Sequence, residues 1–138
     1  VSEAQRAARV RSMAPGSAGH AFWPGLDIRP GDMVVPKFRY SAFIPGAAKG
    51  GPDFAALLRE RGIETLLITG TLTNICCETS ARDAMMLNFR VIMVSDGNAA
   101  VTDEEHNASL MNIYLTFGDV MSTAEIEAAI ARKAEAAA

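Results

Sequence analysis

Two short, continuous apolar runs constrain the fold of this chain more than any other feature. Residues 65–69 read TLLIT and residues 90–95 read RVIMVS, and neither run alternates with polar residues. Such runs are typical of parallel strands that are buried on both faces. Helical patterns over 52–61, 74–88 and 103–116 separate and follow them. The alternation predicts an α/β fold, a parallel sheet flanked by helices on both faces.

Weaker signals complete the predicted order of elements. Residues 3–12 favour a short helix, and Met33–Val35 form a short apolar run that we interpret as a strand ending at Pro36-Lys37. A third strand is predicted at Asp119–Met121. Capping-box pairs begin the last two helices, namely Thr102 with Glu105 and Ser122 with Glu125. A length of 138 residues favours one domain over 1–138.

Charge and cysteine usage exclude several classes of protein. Thirteen basic and sixteen acidic residues give a net charge of −3, and the basic residues are scattered. This pattern argues against nucleic-acid binding and against binding to an anionic membrane surface. No apolar run approaches the roughly 18 residues of a membrane span, and no secretory signal is visible. The adjacent free thiols then point to a reducing cytoplasm.

The link after the first buried run carries the chemistry. It reads GTLTNICCETSARDA and places Cys76 and Cys77 in the first turn of the next helix, with Asn74 as the predicted N-cap. The helix dipole and unpaired backbone N–H groups at such a place favour a thiolate and can stabilise an oxyanion. Either cysteine could also be only a small core residue. Neighbouring helix positions differ by about 100°, and Cys77 aligns with Ala81 and Ala84, so Cys77 is the better core candidate.

A second candidate segment is PKFRYSAF, residues 36–43. At the end of the predicted strand, the Lys37 ammonium could stabilise a thiolate, or it could be an ordinary solvated lysine. Tyr40 and Phe43 could wall a small pocket, or they could only anchor the loop to the core. His20 and His106 lack metal-ligand spacing, and we interpret His106 as part of a solvated helix face.

The residues quoted above resemble isochorismatase-like cysteine hydrolases. The segment GTLTNICCETSARDAMMLNFRVIMVSDGNAAVTDEEH is similar to that family's nucleophile segment, and VVPKFRYSAF to its lysine segment. The likeness extends from about Trp23 to about Ser122. The family includes nicotinamidases, N-carbamoylsarcosine amidohydrolase, ureidoacrylate amidohydrolase and isochorismatases, usually in oligomers. The resemblance therefore implies a homo-oligomer.

The resemblance also implies roles for individual residues. The family's triad is an aspartate, a lysine and a cysteine, and its T-(D/N)-x-C pattern falls on 73–76, which makes Cys76 the nucleophile and Lys37 the triad lysine. A cis peptide at Thr71–Leu72 is implied, with the backbone N–H groups of Leu72 and Cys76 as the oxyanion hole. The implied substrate pocket contains Tyr40, Phe43 and Asn74.

The triad aspartate has no counterpart in this sequence. In the family it ends the first strand, far upstream of the lysine, whereas Asp27 and Asp32 lie close to Lys37 in predicted loop. The first strand, the first helix and the next strand are expected to be missing, so we interpret the chain as truncated at its N-terminus. The Asp-x-His metal motif of nicotinamidases is absent as well. Neither a metal nor a cofactor is expected.

The resulting functional expectation is hydrolysis of a C–N bond in a small amide or carbamoyl/ureido compound, through a thioester. One alternative within the resemblance is isochorismate hydrolysis, a vinyl-ether cleavage that needs an acid but no thiol. An alternative of another class is a truncated, non-catalytic binding or oligomerisation module. The exact substrate is not encoded in any motif of the chain.

Overall fold

The computed structural model describes residues 2–44 and 53–136, and the chain divides into two compact units, Val1–Val34 and Val35–Ala138. The first unit holds helix α1 (Glu3–Ser12), as the sequence predicts. Ser2 caps it, because its Oγ accepts from the Gln5 backbone N at 3.2 Å and Gln5 Oε1 accepts from the Ser2 N at 2.8 Å. The organisation of 1–138 as one domain stays a prediction.

The second unit alternates helices with strands, and short connections join them. Its regular elements are α2 (Phe54–Glu60), β1 (Thr65–Thr71), α3 (Glu78–Met86), β2 (Arg90–Ala99), α4 (Asp103–Asn112), β3 (Asp119–Met121) and α5 (Thr123–Ala136). Two π-helical turns, Thr73–Cys77 and Ile113–Phe117, lie directly before α3 and after α4. Within residues 2–44 and 53–136, no helix is both long and apolar enough to cross a membrane.

The three strands form a parallel sheet in the order β1-β2-β3. Leu67 pairs with Ile92, and Ile92 pairs with Asp119. Ala81 and Ala84 of α3 are fully buried, and side chains of this size let the helix approach its neighbours closely. The predicted α/β class, with a parallel sheet flanked by helices, is therefore confirmed.

Burial differs between the two apolar runs. In β2, Val91, Met93 and Val94 are buried, as predicted. In β1, however, Leu67 is 47% exposed. The prediction that 65–69 is buried on both faces is wrong, because β1 lies at the edge of the sheet formed by the described residues and pairs with β2 alone.

Several predicted boundaries also change. Met33–Val35 is not a strand, and Val34 is 55% exposed. The sequence also predicts that an Asp96-Gly97 turn closes the second apolar run. This prediction is wrong, since β2 continues to Ala99 and pairs there with the end of β1. Asp96 instead accepts from the backbone N of Thr123 at 2.8 Å and from its hydroxyl at 2.9 Å. These bonds lower the pKa of the Asp96 carboxyl.

The start of α2 lies partly outside the described residues. The sequence predicts a helix over 52–61 that Pro52 opens, and Pro52 itself is not described. Asp53 caps the helix, since its side chain accepts from the Ala55 N at 2.9 Å. The sequence also predicts that Gly62 lies just past the end of this helix, and this is confirmed, because Gly62 follows it with a φ of 68° that favours glycine.

Candidate active site

Both thiols lie on the π-helical turn Thr73–Cys77, which follows β1 almost at once. The helix predicted to start at Asn74 begins at Thr73, so Asn74 is not its N-cap. Leu72 occupies that position, and its carbonyl accepts from the backbone N of Ile75 at 3.1 Å and of Cys77 at 3.2 Å. The Thr71–Leu72 peptide is cis, as the resemblance implies. The first N–H groups of a helix lack intrahelical acceptors, so this turn offers donors to a negative atom.

The two cysteines have different environments. Cys77 is 5% exposed, and its Sγ donates a weak hydrogen bond to the Thr69 carbonyl at 3.7 Å. Burial, followed by the neighbouring Cys76, raises the pKa of the Cys77 thiol to about 11, although the Lys37 charge opposes both effects. Cys76 is only half-buried. Cys77 is therefore a packing residue, as predicted, whereas Cys76 is accessible.

We expect iodoacetamide at pH 7 to alkylate Cys76 well before Cys77. A thiol with a pKa of about 11 is thiolate in only about one molecule in 10⁴ at that pH, and burial also blocks the reagent. Limited labelling followed by peptide mapping measures the ratio. Faster labelling of Cys77 would contradict the assignment of the nucleophile.

The charge of Lys37 acts on the buried thiol, since it lowers the pKa of Cys77 against the effect of burial. Its Nζ donates to the carbonyl oxygens of Arg39 at 2.9 Å and Tyr40 at 3.0 Å. Through these two bonds the lysine side chain contacts the backbone of its own loop. The loop is tied to the helix after the thiols, since the Ala42 N donates to Ser80 Oγ at 3.2 Å. The Lys37 loop is thus tied to the helix that follows the thiols without the predicted strand.

The three predicted pocket residues lie in different surroundings. Phe43 is 7% exposed and packs against Phe54 and Phe89, with ring centroids 5.0 and 5.9 Å away. This packing anchors the loop to the core, and a contact of Phe43 with a substrate stays a prediction. Tyr40 is 67% exposed. The side-chain oxygen of Asn74 is buried and has no hydrogen-bond partner within the described ranges. Contacts of Tyr40 and Asn74 with a substrate stay predictions.

Two residues contact the turn Thr73–Cys77, hereafter the thiol turn, and the sequence does not identify them as doing so. His106 Nδ1 lies 2.9 Å from the Thr73 hydroxyl, and Ser109 Oγ donates to the Thr73 carbonyl at 3.2 Å. The interpretation of His106 as part of a solvated face is wrong, since the ring is half-buried against this turn. Their i,i+3 spacing puts them on one face of α4, but nothing in the sequence indicates what that face touches.

Asn98 is a third residue that the sequence does not single out. Its Nδ2 donates to the Ile68 carbonyl at 2.8 Å and to the Val94 carbonyl at 2.7 Å. These bonds bridge β1 and β2 where their register shifts, between Ile68 and Gly70. The end of β1, and with it the start of the thiol turn, is fixed by this amide.

The arrangement suits attack by sulfur on a polarised carbonyl. It combines an accessible thiol on a helical turn, an ammonium group within electrostatic reach and backbone N–H donors on the same turn. Within residues 2–44 and 53–136, no group of three or more His, Cys, Asp or Glu side chains is placed to hold a metal ion.

Comparison with known proteins gives matches over most of the chain. Residues 2–125 match the family model described as the isochorismatase domain. The uncharacterized isochorismatase family protein YwoC of Bacillus subtilis is 36% identical over 104 residues, which is 75% of this chain and 52% of that protein. The ureidoacrylate amidohydrolase RutB of Pseudomonas savastanoi pv. phaseolicola is 36% identical over 111 residues, or 80% of this chain and 43% of that protein.

A structural match extends the comparison to the fold. The crystal structure of a cysteine hydrolase from Pseudomonas syringae pv. phaseolicola superposes with a TM-score of 0.73 and 29% identity, over 91% of this chain and 62% of the other. The chain thus spans about half the length of the curated relatives that it matches.

Proposed function

The chain belongs to the isochorismatase family, and on that premise we propose that it carries the nucleophile and lysine of a cysteine hydrolase acting on a C–N bond of a small amide or carbamoyl/ureido compound. The observation that carries the proposal is the placement of the half-buried Cys76 on the turn after β1, next to a residue, Cys77, on which the Lys37 charge acts. The similarity to a ureidoacrylate amidohydrolase supports the substrate class.

The proposed reaction has two covalent steps. The Cys76 thiolate adds to the substrate carbonyl, and the resulting oxyanion is held by the backbone N–H groups of Leu72 and Cys76. The C–N bond then breaks as an acid protonates the leaving nitrogen, which leaves a thioester on Cys76. Water adds to the thioester, the C–S bond breaks, and the carboxylic or carbamic acid departs while the thiol is restored. Lys37 stabilises the thiolate at the start of each cycle.

Two further parts of the proposal rest on the resemblance and on the free thiols of the sequence. We propose that the acid is the family's aspartate, as the resemblance implies. We also propose that the protein works in the cytoplasm as a homo-oligomer.

The competing functions make different demands on Cys76. Isochorismate hydrolysis needs an acid and no thiol, so Cys76 would be dispensable. A non-catalytic module would need neither an accessible thiol nor a cation near it. The contrast between Cys76 and its buried neighbour Cys77 therefore favours the cysteine hydrolase over both alternatives.

Acylation by 4-nitrophenyl acetate tests the nucleophile without needing the acid, because nitrophenolate leaves unprotonated at neutral pH. We expect a burst of nitrophenolate and one acetyl group on the peptide that contains Cys76, removable by hydroxylamine as a thioester is. The measurement is acid quenching followed by intact-mass analysis and peptide mapping. Cys76→Ala should abolish the adduct, and Cys77→Ala should keep it. An acetyl group on another residue, with Cys76 unmodified, would refute the proposal.

A further inference from the structure

Helix α4 contacts the thiol turn through Thr73, and it does so twice. The Thr73 side chain is fully buried, and its Oγ1 lies 2.9 Å from His106 Nδ1. The Thr73 carbonyl accepts from the Ser109 hydroxyl at 3.2 Å, and Ser109 is 1% exposed. One residue of the turn is therefore held by both its side chain and its backbone, from a helix about thirty residues further along the chain.

We propose that His106 is a positioning residue for Cys76, acting through the Thr73 hydroxyl. This inference rests on the proposed function, since it gives His106 a part in preparing the nucleophile. Thr73 begins the turn and Cys76 lies three residues later, which is about one helical turn. A shift of Thr73 therefore moves the Cys76 thiol and the N–H donors of the turn together.

The physical reason lies in the burial of the hydroxyl. A neutral imidazole protonated on Nε2 accepts the Thr73 O–H on Nδ1, and the other tautomer donates to the oxygen instead. In either case the ring nitrogen satisfies a polar group that has no access to water. Without that nitrogen, the turn must move to find another partner or keep a buried hydroxyl unpaired. Asn98 holds the end of β1 just before the turn, and the His106–Thr73 bond holds the first residue of the turn itself.

Alkylation of Cys76 by iodoacetamide measures this effect without knowledge of the substrate. In the 138-residue chain, we expect His106→Phe to slow labelling of Cys76 by roughly tenfold or more, because small displacements of a reactive group carry penalties of up to about 10²-fold. His106→Asn puts an amide where Nδ1 lies and should restore the rate to near that of the unaltered chain. His106→Gln reaches too far and should not. A role in packing alone would not distinguish the two amides.

The Thr73 variants provide the matched control. Thr73→Val removes the hydroxyl at nearly constant size and should slow labelling as His106→Phe does, whereas Thr73→Ser should not. The double variant should be no slower than either single variant, because both remove the same interaction. If His106→Phe fails to fold and exposes both thiols to the reagent, the comparison of Thr73→Val with Thr73→Ser decides.

Failure of this inference differs from failure of the proposed function. Preferential labelling of Cys76 that is unchanged by His106→Phe or by Thr73→Val would overturn the positioning role alone. A His106→Asn variant that labels as slowly as the His106→Phe variant would do the same. Absence of any preference for Cys76 in the unaltered chain would instead remove the proposed nucleophile.

Discussion

Cys76→Ala is expected to lower kcat/KM for amide hydrolysis by about 10⁴–10⁶-fold, the largest effect of any single substitution in this chain. Covalent catalysis has no substitute for the attacking atom, and loss of a nucleophile in comparable enzymes costs factors of this size. The measurement is release of ammonia or amine from a panel of small amides and ureido acids. The assay uses whichever form, residues 1–138 alone or the same residues extended upstream, hydrolyses these substrates faster.

Cys77→Ala is the matched control for that substitution. It removes a sulfur atom one residue away, from a side chain that packs in the interior and keeps its proton. We expect it to cost about 1 kcal/mol in the free energy of unfolding and to leave kcat/KM within roughly threefold. If the Cys76 variant retained activity and the Cys77 variant lost it, the assignment of the two thiols would be reversed. If both retained activity, the reaction would not be cysteine-dependent.

The second large effect concerns the acid. We expect residues 1–138 alone to hydrolyse amides slowly, and the same residues extended upstream by a strand ending in aspartate to do so about 10²–10⁴ times faster. Proton transfer from a positioned acid contributes factors of that size, and an amine leaves poorly unless it is protonated. The Lys37 ammonium, whose hydrogen bonds within the described residues go to two carbonyls, has donor capacity left for such a carboxylate.

An extension that ends in asparagine instead of aspartate separates the effect of the acid on the rate from the effect of the added strand. It should restore sheet pairing and stability equally well, but it should not restore turnover. Equal rates for the asparagine and aspartate extensions would show that the strand matters and the acid does not. If residues 1–138 alone matched the aspartate extension, some acid within them would be doing this work.

The order of elements in the second unit was predictable because each signal is local. Continuous apolar runs gave the positions of β1 and β2, and the pair Ser122 and Glu125 gave the start of α5. That pair closes reciprocally, with Ser122 N donating to Glu125 Oε2 at 2.7 Å and Glu125 N donating to Ser122 Oγ at 3.4 Å. The exposure of β1 was not predictable, because its sequence fits a buried strand and burial depends on what lies beside it.

The candidate site also contains features that were predictable from the sequence and features that were not. The burial of Cys77 was predictable from the rotation between neighbouring helix positions, and Cys77 is indeed the buried one. The role of Cys76 as nucleophile came from the resemblance and stays a prediction. A position of Lys37 near the thiols was proposed from its place after an apolar run and from the resemblance, while the strand predicted to carry it does not form. His106 could not be placed from the sequence, since its contact with Thr73 depends on how α4 packs in three dimensions. Its acidic neighbours gave a misleading signal of full exposure.

The exposed edge of β1 has a consequence for how residues 1–138 behave at high concentration. An unpaired strand edge presents N–H and C=O groups that a second molecule can bind by adding a strand of its own. On β1 this edge accompanies an apolar residue, Leu67, that is nearly half exposed. We therefore expect self-association by strand addition to compete with folding of residues 1–138, and an upstream strand paired with β1 to suppress it.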